Sequence, residues 1–420
     1  MMINVNYFVR ENCRLCNHHD LKLVVNFPPT VSGNRLKKSP DAPDPELVPI
    51  DLYQCQQCGH VQVIHVPPPN SLYGEDYPFM PGNNPVLIKH FEETVKDFTQ
   101  NFISEVKFAL EIGSNDGIFL EKMRDLTGCR VLGVDPSLPP VEMARKRCVE
   151  TILDFFSPDI AERIIEQYGH PDVVIANNVF AHIDDQRGVI KGIQTLLPEG
   201  GYFIFEISYL KDVVEKFLIG TVIHEHLSVH SLTSLIPCLQ EFDLVLKKAH
   251  YVNHVQGGAI VGVCQKSSSA RSEVLPLEIQ EMIDAEAASG ITSISGMRNF
   301  NTNLHQKLSL FKQRIISASE NRRIIGYGSA VSAPIIIDLL DLRNKIEYVI
   351  DDNPFKKGKY MPIGNIPIIG SENFPYDPKD TLFVILGWAQ TERIFKNLRH
   401  KFFGSLVATI YTDFEIKEVQ

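Results

Sequence analysis

The densest group of titratable side chains in the sequence runs from His224 to His230 and contains three histidines and Glu225. His224 and His226 are two residues apart, so on an extended segment they share one side and Glu225 faces the other. This spacing differs from the His-Glu-x-x-His of a helical zinc protease site. Histidine titrates near neutral pH, and a neighbouring carboxylate raises its basicity. The segment therefore favours acid–base chemistry, with a metal site and a structural histidine cluster as alternatives.

A glycine turn that could hold a nucleoside lies upstream. Glu111-Ile112-Gly113-Ser114-Asn115-Asp116-Gly117 follows an apolar strand and precedes a helix. Its glycines let the backbone turn tightly and let a ligand approach closely. Asp135 ends the next predicted strand, where a carboxylate can accept both hydroxyls of a ribose. The turn lacks the third glycine of a dinucleotide site. It favours S-adenosylmethionine, with a dinucleotide and a purely structural turn as alternatives.

Two further segments are predicted to complete this cleft. Asp154 and Phe155 follow the third apolar run, where the ring could stack on adenine, although the ring could also belong to the core. Asn177 and Asn178 end the fourth strand, and polar residues at that end of a parallel strand face the ligand crevice. The predicted cofactor-binding residues are Glu111, Gly113, Asn115, Asp116, Gly117, Asp135, Asp154, Phe155, Asn177 and Asn178.

Four cysteines near the N-terminus form two Cys-x2-Cys pairs, Cys13 with Cys16 and Cys55 with Cys58. Two such pairs provide the four thiolates that structural zinc prefers. A redox pair is the alternative, but it requires one pair at a helix start rather than two matched pairs. Because four thiolates leave no open position on the ion, the predicted zinc is structural.

Three groups of elements are predicted to position these residues, which makes the fold class α/β. Residues 1–81 form a small zinc-binding domain, and residues 82–265 a central Rossmann-like domain. In residues 82–265 apolar runs alternate with amphipathic stretches, which is typical of a parallel sheet covered by helices. Residues 266–420 form a helical connector and a C-terminal Rossmann-like domain. The candidate strands of the central part are residues 108–112, 130–134, 172–176, 202–206, 244–251 and 258–264.

A second glycine turn opens the C-terminal α/β pattern. Gly326, Gly328 and Ser329 follow a strand and precede a helix, whose N-terminal amides could hold a pyrophosphate. Asp351 and Asn353 follow the next strand, at the position of a ribose-binding acid. These residues predict a nucleotide site, and a packing turn stays open as the alternative.

The charge balance restricts the partners of the chain. It has 420 residues, with 41 lysines and arginines against 51 acidic residues, and a net charge of -10. Such a surface is a poor non-specific partner for nucleic acid or an anionic membrane, so a bound phosphate needs backbone amides or a few placed cations. No stretch reaches the ~18 uncharged apolar residues of a membrane helix. The first residues lack a secretory pattern, so we expect a cytoplasmic protein. The oligomeric state stays open.

Taken in order, these motifs resemble a known family. The two cysteine pairs, the Glu111–Gly117 turn, His224-Glu225-His226-Leu227-Ser228 and the Gly326–Pro334 turn are similar to those of deoxysugar C-methyltransferases of antibiotic and surface-glycan pathways. The resemblance covers nearly the whole chain. It implies a zinc domain, a central methyltransferase domain and a C-terminal Rossmann-like domain. It also implies methylation of a carbon beside a ketone in a nucleotide-diphosphate keto-deoxysugar.

The resemblance also implies roles for single residues. His226 corresponds to the base that removes the proton beside the ketone, Glu225 supports it, and His182 lies across the cleft. Tyr77 matches a tyrosine in a segment that closes over the site.

One position departs from the family. Relatives usually carry a tyrosine where Ile223 stands, so another group, Tyr77 or His224, would have to donate to the developing oxyanion. A different substrate, or proton exchange without methylation as in an epimerase or isomerase, would also account for the departure. A zinc-stabilised nucleotide-binding protein without catalysis is the remaining alternative.

Overall fold

The structure is a computed structural model that describes residues 7–33, 35–73, 79–255, 257–411 and 414–420. Tyr77, one of the predicted site residues, lies outside these ranges. Among the helices described, none combines the length and the apolar character needed to cross a membrane.

The N-terminal part is built from short strands around the four cysteines. Its strands β1 to β7 are Phe8–Val9, Leu21–Val25, Thr30–Val31, Leu47–Val48, Leu52–Cys55, Val61–Val63 and His65–Val66. β2, β5 and β6 pair antiparallel, and the tight turns between strands carry the cysteine pairs.

The central part alternates strands and helices, as predicted. Its helices α1 to α7 are Pro85–Asn101, Ile118–Thr127, Leu138–Lys146, Pro158–Tyr168, Gln186–Leu196, Leu210–Glu215 and Leu232–Glu241. Its strands β8 to β15 are Phe108–Ile112, Arg130–Asp135, Glu150–Leu153, Val173–Asn177, Tyr202–Ser208, Ser228–Val229, Leu244–Val252 and Ala259–Lys266.

Seven of these strands form the main sheet, in the order β10-β9-β8-β11-β12-β15-β14. The first five run parallel, and β15 is antiparallel to both β12 and β14. The strand order reverses between β8 and β11, and an open parallel sheet forms its ligand crevice at the carboxyl ends of the strands beside such a point. The predicted α/β class with a Rossmann-like central domain is confirmed.

The remaining central strand, β13, belongs to the zinc part of the molecule. It pairs antiparallel with β6, with Ser228 opposite Gln62 and Val229 opposite Val61. The chain immediately after His226 is therefore hydrogen-bonded into the N-terminal sheet rather than into the main sheet.

The C-terminal part begins with two helices and continues into a second sheet. Helices α8 to α11 are Leu277–Ser289, Ile294–Ala318, Ala333–Leu339 and Thr391–Lys401, and strands β16 to β21 are Arg323–Tyr327, Ile346–Ile350, Ile368–Ile369, Thr381–Ile385, Leu406–Thr409 and Glu415–Glu418. The sheet order is β18-β17-β16-β19-β20-β21, parallel except for β21.

Helix α9 packs against both the N-terminal and the C-terminal parts of the chain. The Ser293 hydroxyl accepts a hydrogen bond from Gly296 N and caps the helix. One face of the helix is apolar at helical spacing, and it packs in a single core with residues of β2 and of the C-terminal sheet. The buried residues on this face are Met297, Phe300, Leu304, Leu308, Phe311 and Ile315. The domain boundaries at residues 81/82 and 265/266 stay predictions.

Candidate active site

A cavity of about 960 Å³ opens at the carboxyl ends of β8, β9, β11 and β12. The N-terminal part contributes Arg35 and the stretch 69–73 to its wall, and the C-terminal part contributes Asn353 and Lys356. The predicted site residues that line the cavity are Glu111, Gly113, Asn115, Asp135, Phe155, Asn177, Asn178, His182, Glu225, His226 and Asn353.

The first glycine turn forms one wall of this cavity. Gly113 has φ +66°, and a Cβ there would lie 2.5 Å from Cγ2 of Val179. The turn is tied to the end of β9, because Asn115 N donates to Oδ2 of Asp135 at 2.9 Å. Burial raises the pKa of Asp135. Its carboxylate thus lies at the position predicted for a ribose contact, although its two oxygens also accept from backbone amides of Asn115 and Ser137.

Glu111 presents an unpaired carboxylate oxygen to the cavity. Oε1 accepts from Nδ2 of Asn177 at 3.0 Å, whereas Oε2 is buried and has no hydrogen-bond partner among the described residues. Burial raises the pKa of Glu111 well above its usual range. A buried acceptor without a donor is costly in the free protein. The site therefore fits a ligand that brings a hydroxyl or ammonium donor, as S-adenosylmethionine does.

Three of the predicted cofactor residues do not reach the cavity. Asp116 accepts from Gly82 N at 3.0 Å and lies 3.5 Å from Nη2 of Arg147, so its carboxylate is used in holding the turn. Gly117 is the left-handed N-cap of α2 and lies behind the turn. Asp154 is exposed, and Oδ1 accepts from its neighbour Phe155 N. Of that last pair only Phe155 lines the cavity, so the structure does not bring Asp154 to the predicted cofactor site.

Two imidazoles from distant parts of the chain lie close together in the cavity wall. His182 ends a short 3-10 turn after β11, and His226 precedes β13, yet their ring centroids are 5.0 Å apart. Nδ1 of His226 donates to the carbonyl oxygen of Thr221 at 2.6 Å. Because Nδ1 carries the hydrogen, Nε2 of the neutral ring has the free lone pair that a general base needs.

The burial of these groups sets their protonation. Burial lowers the pKa of His226, and the hydrogen bond to Thr221 opposes this only in part. Burial, together with the nearby His226, lowers the pKa of His182 well below its usual range. Both rings are therefore neutral at pH 7. Burial also raises the pKa of Glu225 to about 7, so this carboxyl titrates near neutrality at the cavity wall.

His224, which was also predicted as a catalytic residue, occupies a different environment and is not brought to the cavity. Its ring is 1% exposed and does not line the cavity. Nε2 donates to the carbonyl oxygen of Pro49 at 3.2 Å, and burial lowers the pKa of His224 to about 4. The residue anchors the loop to the N-terminal part. Ile223 also lies outside the cavity wall.

Sequence reasoning missed Tyr73 and Glu206. The Tyr73 hydroxyl lies 3.0 Å from Nδ1 of His182 and 3.3 Å from the carbonyl oxygen of Glu225, so a phenol is present beside both imidazole-bearing segments. No motif signals Tyr73, because a loop of the N-terminal part brings it to the site. Glu206 could have been found by the rule applied to Asn177, since it lies near the carboxyl end of a parallel strand.

Glu206 is part of a buried polar network. Oε1 accepts from Nδ2 of Asn178 at 2.6 Å, and Oε2 contacts Nε2 of His90 on α1. Burial alone would lower the pKa of His90, but the hydrogen bond and charge of Glu206 outweigh it and the pKa is raised. The network fixes Asn178, which has a left-handed φ of 54°, at the cavity wall.

The four cysteines of the N-terminal part converge as predicted. All their sulfur atoms lie within 4.8 Å of one another. The hydrogen bond with Cys55 raises the pKa of Cys13 to about 12, and the hydrogen bond with Cys13 raises that of Cys58. Thiols packed this closely resist joint ionisation unless a cation neutralises them. The donor set therefore fits a tetrahedral zinc ion held by Cys13, Cys16, Cys55 and Cys58.

The C-terminal glycine turn is largely occupied by its own side chains. Asp351 accepts from the amide of Ser329 at 2.9 Å and from its hydroxyl at 2.6 Å, and Nζ of Lys356 is 3.4 Å away. Gly326 is buried in β16, and Gly328 packs against Gly387. These four residues of the predicted nucleotide site do not line the cavity, whereas Asn353 does.

Comparison with known proteins matches all three parts of the chain. Residues 13–73 match a zinc binding domain, residues 88–249 a methyltransferase domain, and residues 254–410 the C-methyltransferase C-terminal domain. C-methyltransferase NovU from Streptomyces niveus is 29% identical over 391 residues, which is 92% of each chain. The chain is therefore similar to C-methyltransferases along nearly its whole length. It is a methyltransferase enzyme, and the predicted cofactors, S-adenosylmethionine and structural zinc, are confirmed.

Three further similarities each cover less than half of the chain. A ubiquinone biosynthesis O-methyltransferase from Vibrio parahaemolyticus is 30% identical over 118 residues, 28% of this chain and 49% of that protein. A solved S-adenosylmethionine-dependent methyltransferase from Thermotoga maritima is 18% identical, with a TM-score of 0.34, over 43% of this chain and 92% of that one. N-methyltransferase NodS from Bradyrhizobium japonicum, solved with S-adenosyl-L-homocysteine, is 17% identical, with a TM-score of 0.34, over 47% and 96%.

Proposed function

We propose that this C-methyltransferase deprotonates the carbon beside a ketone of a nucleotide-diphosphate keto-deoxysugar and methylates the resulting enolate. The observation that carries the proposal is the state of His226. Its Nδ1–H is held by Thr221, and its ring is neutral and lines the cavity at the switch point of the sheet. A neutral imidazole with one committed nitrogen is the arrangement expected of a general base.

The neighbouring groups support the proton transfer. When Nε2 of His226 takes the substrate proton, the ring becomes an imidazolium, and its hydrogen bond to the Thr221 carbonyl becomes charge-assisted. Glu225, ionised above about pH 7, offers a compensating charge at the same wall. The Tyr73 hydroxyl and Nδ1 of His182 share a hydrogen bond of 3.0 Å, which leaves the pair one further hydrogen to donate to the oxygen of the enolate. Tyr73 thereby supplies a phenol that position 223 lacks.

We assign the methyl donor to the Gly113 turn and the ends of β8 and β9 in the cavity wall. S-adenosylmethionine supplies an electrophilic sulfonium methyl group when bound. Glu111 and Asp135 place carboxylates where the donor's ammonium and ribose hydroxyls can be held, and Asn177 orients Glu111 through its amide. The turn at Gly113 lets the backbone approach the ligand closely.

The cations of the cavity support a phosphate-bearing substrate. Among the described lining residues, the lysine and arginine side chains are Arg35, from the N-terminal part, and Lys356, from the C-terminal part. In a chain of net charge -10, cations placed in a cavity draw an anionic ligand toward it. Asn353 lies beside Lys356 in the wall and offers a neutral hydrogen-bonding group. We assign this side of the cavity to the nucleotide diphosphate.

Transfer of a labelled methyl group tests the proposal. The full-length zinc-loaded protein is incubated with methyl-labelled S-adenosylmethionine and a panel of nucleotide-diphosphate keto-deoxysugars. We expect the label on carbon in at least one sugar. Solvent deuterium entering the sugar without methyl transfer would instead identify an epimerase or isomerase.

Two variants of the same loop assign the base. His226→Gln removes the proposed base, and we expect transfer to fall by about 10²–10⁴-fold. His224→Gln changes the same residue type two positions away, outside the cavity, and we expect it to keep most of the activity. Equal activity in the two variants would contradict the base assignment.

A further inference from the structure

One buried arginine connects the zinc site to both histidine segments. Arg14 stands between the first two cysteine ligands, and its side chain is 0% exposed. Nη1 donates to the carbonyl oxygens of Val63, at 2.6 Å, and of Leu227, at 3.0 Å. Nε and Nη2 donate to Oδ1 of Asp184 at 3.1 Å and 2.9 Å. A planar guanidinium can meet these acceptors at once because its donors form a rigid fork.

The acceptors are adjacent to the proposed catalytic groups. Leu227 follows His226 directly, and Asp184 lies two residues after His182. The Leu227 carbonyl also accepts from Val63 N at 2.9 Å, so this end of the loop is fixed to the N-terminal sheet. The two histidines come from distant parts of the chain, and the Arg14 side chain links the segments that carry them.

We propose that Arg14 is a positioning residue that holds the Asp184 and Leu227 segments at the separation at which His182 and His226 face each other. The structural zinc site thereby sets the geometry of the acid–base pair, since it fixes the backbone on both sides of Arg14. This inference rests on the proposed roles of the two histidines.

The cost of burying the guanidinium supports a role beyond packing. A buried charge requires partners at all its donors, and apolar residues of similar volume often stabilise a fold as well or better. Arg10 offers a contrast. Its Nη1 also donates to Asp184, at 2.9 Å, but it is partly exposed, and within the described residues it makes no hydrogen bond to Leu227. Of the two arginines that bind Asp184, Arg14 is therefore the one that also binds Leu227 within the described residues.

Lysine at position 14 tests the inference, because it keeps the charge and loses the fork. In the zinc-loaded Arg14→Lys protein we expect kcat for methyl transfer to fall by about 10²-fold, since small misplacement of catalytic groups costs rates of this order. The KM for S-adenosylmethionine should change little, because the Glu111–Gly117 turn makes no hydrogen bond with Arg14. We also expect the acid limb of the pH–kcat profile to shift, which a purely structural role would not cause.

Three further variants complete the design. Asp184→Asn weakens the hydrogen bonds to Arg14 without substituting a residue of the N-terminal part. It should reproduce the loss of kcat at full zinc content. Arg10→Gln removes the other partner of Asp184 and should cost less. Lys22→Gln disrupts a surface ion pair with Asp20 in the same part of the chain and should match the wild type. Zinc content is measured by metal analysis for every variant.

The outcomes are distinct. Wild-type kcat and pH profile in zinc-loaded Arg14→Lys and Asp184→Asn overturn the inference. If Arg14→Lys loses zinc or unfolds, Asp184→Asn decides: a kcat loss at full zinc supports the inference, and wild-type kcat overturns it. An active His226→Gln protein would instead contradict the proposed function, whatever the Arg14 variants show.

Discussion

The ring centroids of His182 and His226 lie 5.0 Å apart, although one ring follows a strand of the main sheet and the other precedes a strand of the N-terminal sheet. At this distance a proton on one ring disfavours a proton on the other, and nearby His226 indeed lowers the pKa of His182. The two rings therefore do not readily carry an extra proton at the same time. This is the condition under which His226 can accept a proton from a substrate while His182 stays neutral.

The pH dependence of the reaction should reflect these groups. The pKa of His226 is lowered by burial, so the neutral base is present above the ordinary histidine value of about 6.5 and is lost only as the pH falls through the lower folded value. Glu225, with a pKa of about 7, adds a second limb near neutrality if its charge supports the imidazolium. We expect kcat/KM to rise through pH 7 in the wild type and Glu225→Gln to lack that limb. An unchanged profile in the variant would remove Glu225 from the mechanism.

Stability should fall on mild acidification because buried histidines must take up protons to unfold. The pKa of His224 is lowered to about 4 by burial, against about 6.5 in the unfolded chain. Unfolding then binds a proton, so stability is complete above pH 6.5 and decreases below it. For His224 alone the loss is roughly 1.4 kcal/mol between pH 7.5 and pH 5.5. Urea unfolding at these two pH values measures it, and His224→Gln should show a smaller difference.

Removal of the metal should affect both the fold and the active site. Without a cation the four thiols of the N-terminal part lose the ion that holds them within 4.8 Å of one another, and structural zinc contributes directly to folding. We expect a chelator, or Cys55→Ser, to lower the melting temperature and abolish methyl transfer together. Cys148→Ser, at an exposed cysteine outside the cluster, serves as the control. Full methyl transfer by the zinc-free protein would show that the metal is not needed to hold the active site in place.

Much of the fold could be predicted because it depends on local patterns. Alternating apolar and amphipathic stretches gave the strands of the main sheet to within two residues, and the cysteine spacing predicted the zinc cluster. Asn177 and His182 follow a parallel strand of the main sheet and line the cavity, because the carboxyl ends of such strands converge at its edge.

The errors arose where long-range packing decides which side a residue faces. The short segment 224–226 contributes one histidine to the cavity and buries another against Pro49, and sequence periodicity alone does not distinguish the two. Asp351 has the position of a ribose acid but is satisfied by Ser329. Tyr73 and Arg14 belong to the N-terminal part, which the pairing of β6 with β13 joins to the segment after His226.

Replacing the Glu206 carboxylate by an amide should destabilise its buried hydrogen-bond network. Glu206→Gln leaves only one acceptor oxygen for Nδ2 of Asn178 and Nε2 of His90, so one buried donor loses its partner. Such a loss costs about 1–3 kcal/mol. We expect the free energy of unfolding to fall by this amount and the pKa of His90, followed by NMR, to fall as well. Glu142→Gln, at an exposed position on α3, is the control. An unchanged His90 pKa would contradict the pairing.

Alanine variants at two glycines distinguish the effect of steric contact at the cofactor site from that of backbone strain. Gly113 and Gly128 both have positive φ, +66° and +74°. A Cβ on Gly113 would lie 2.5 Å from Cγ2 of Val179 at the cavity wall, whereas a Cβ on Gly128 meets nothing within 4 Å. Both alanine variants therefore bear the strain of a left-handed residue, on the order of 1 kcal/mol. Only Gly113→Ala should also weaken S-adenosylmethionine binding, by at least about tenfold in calorimetry, because the wall must move. Equal cofactor affinity in the two variants would mean that the turn at Gly113 does not contact the methyl donor.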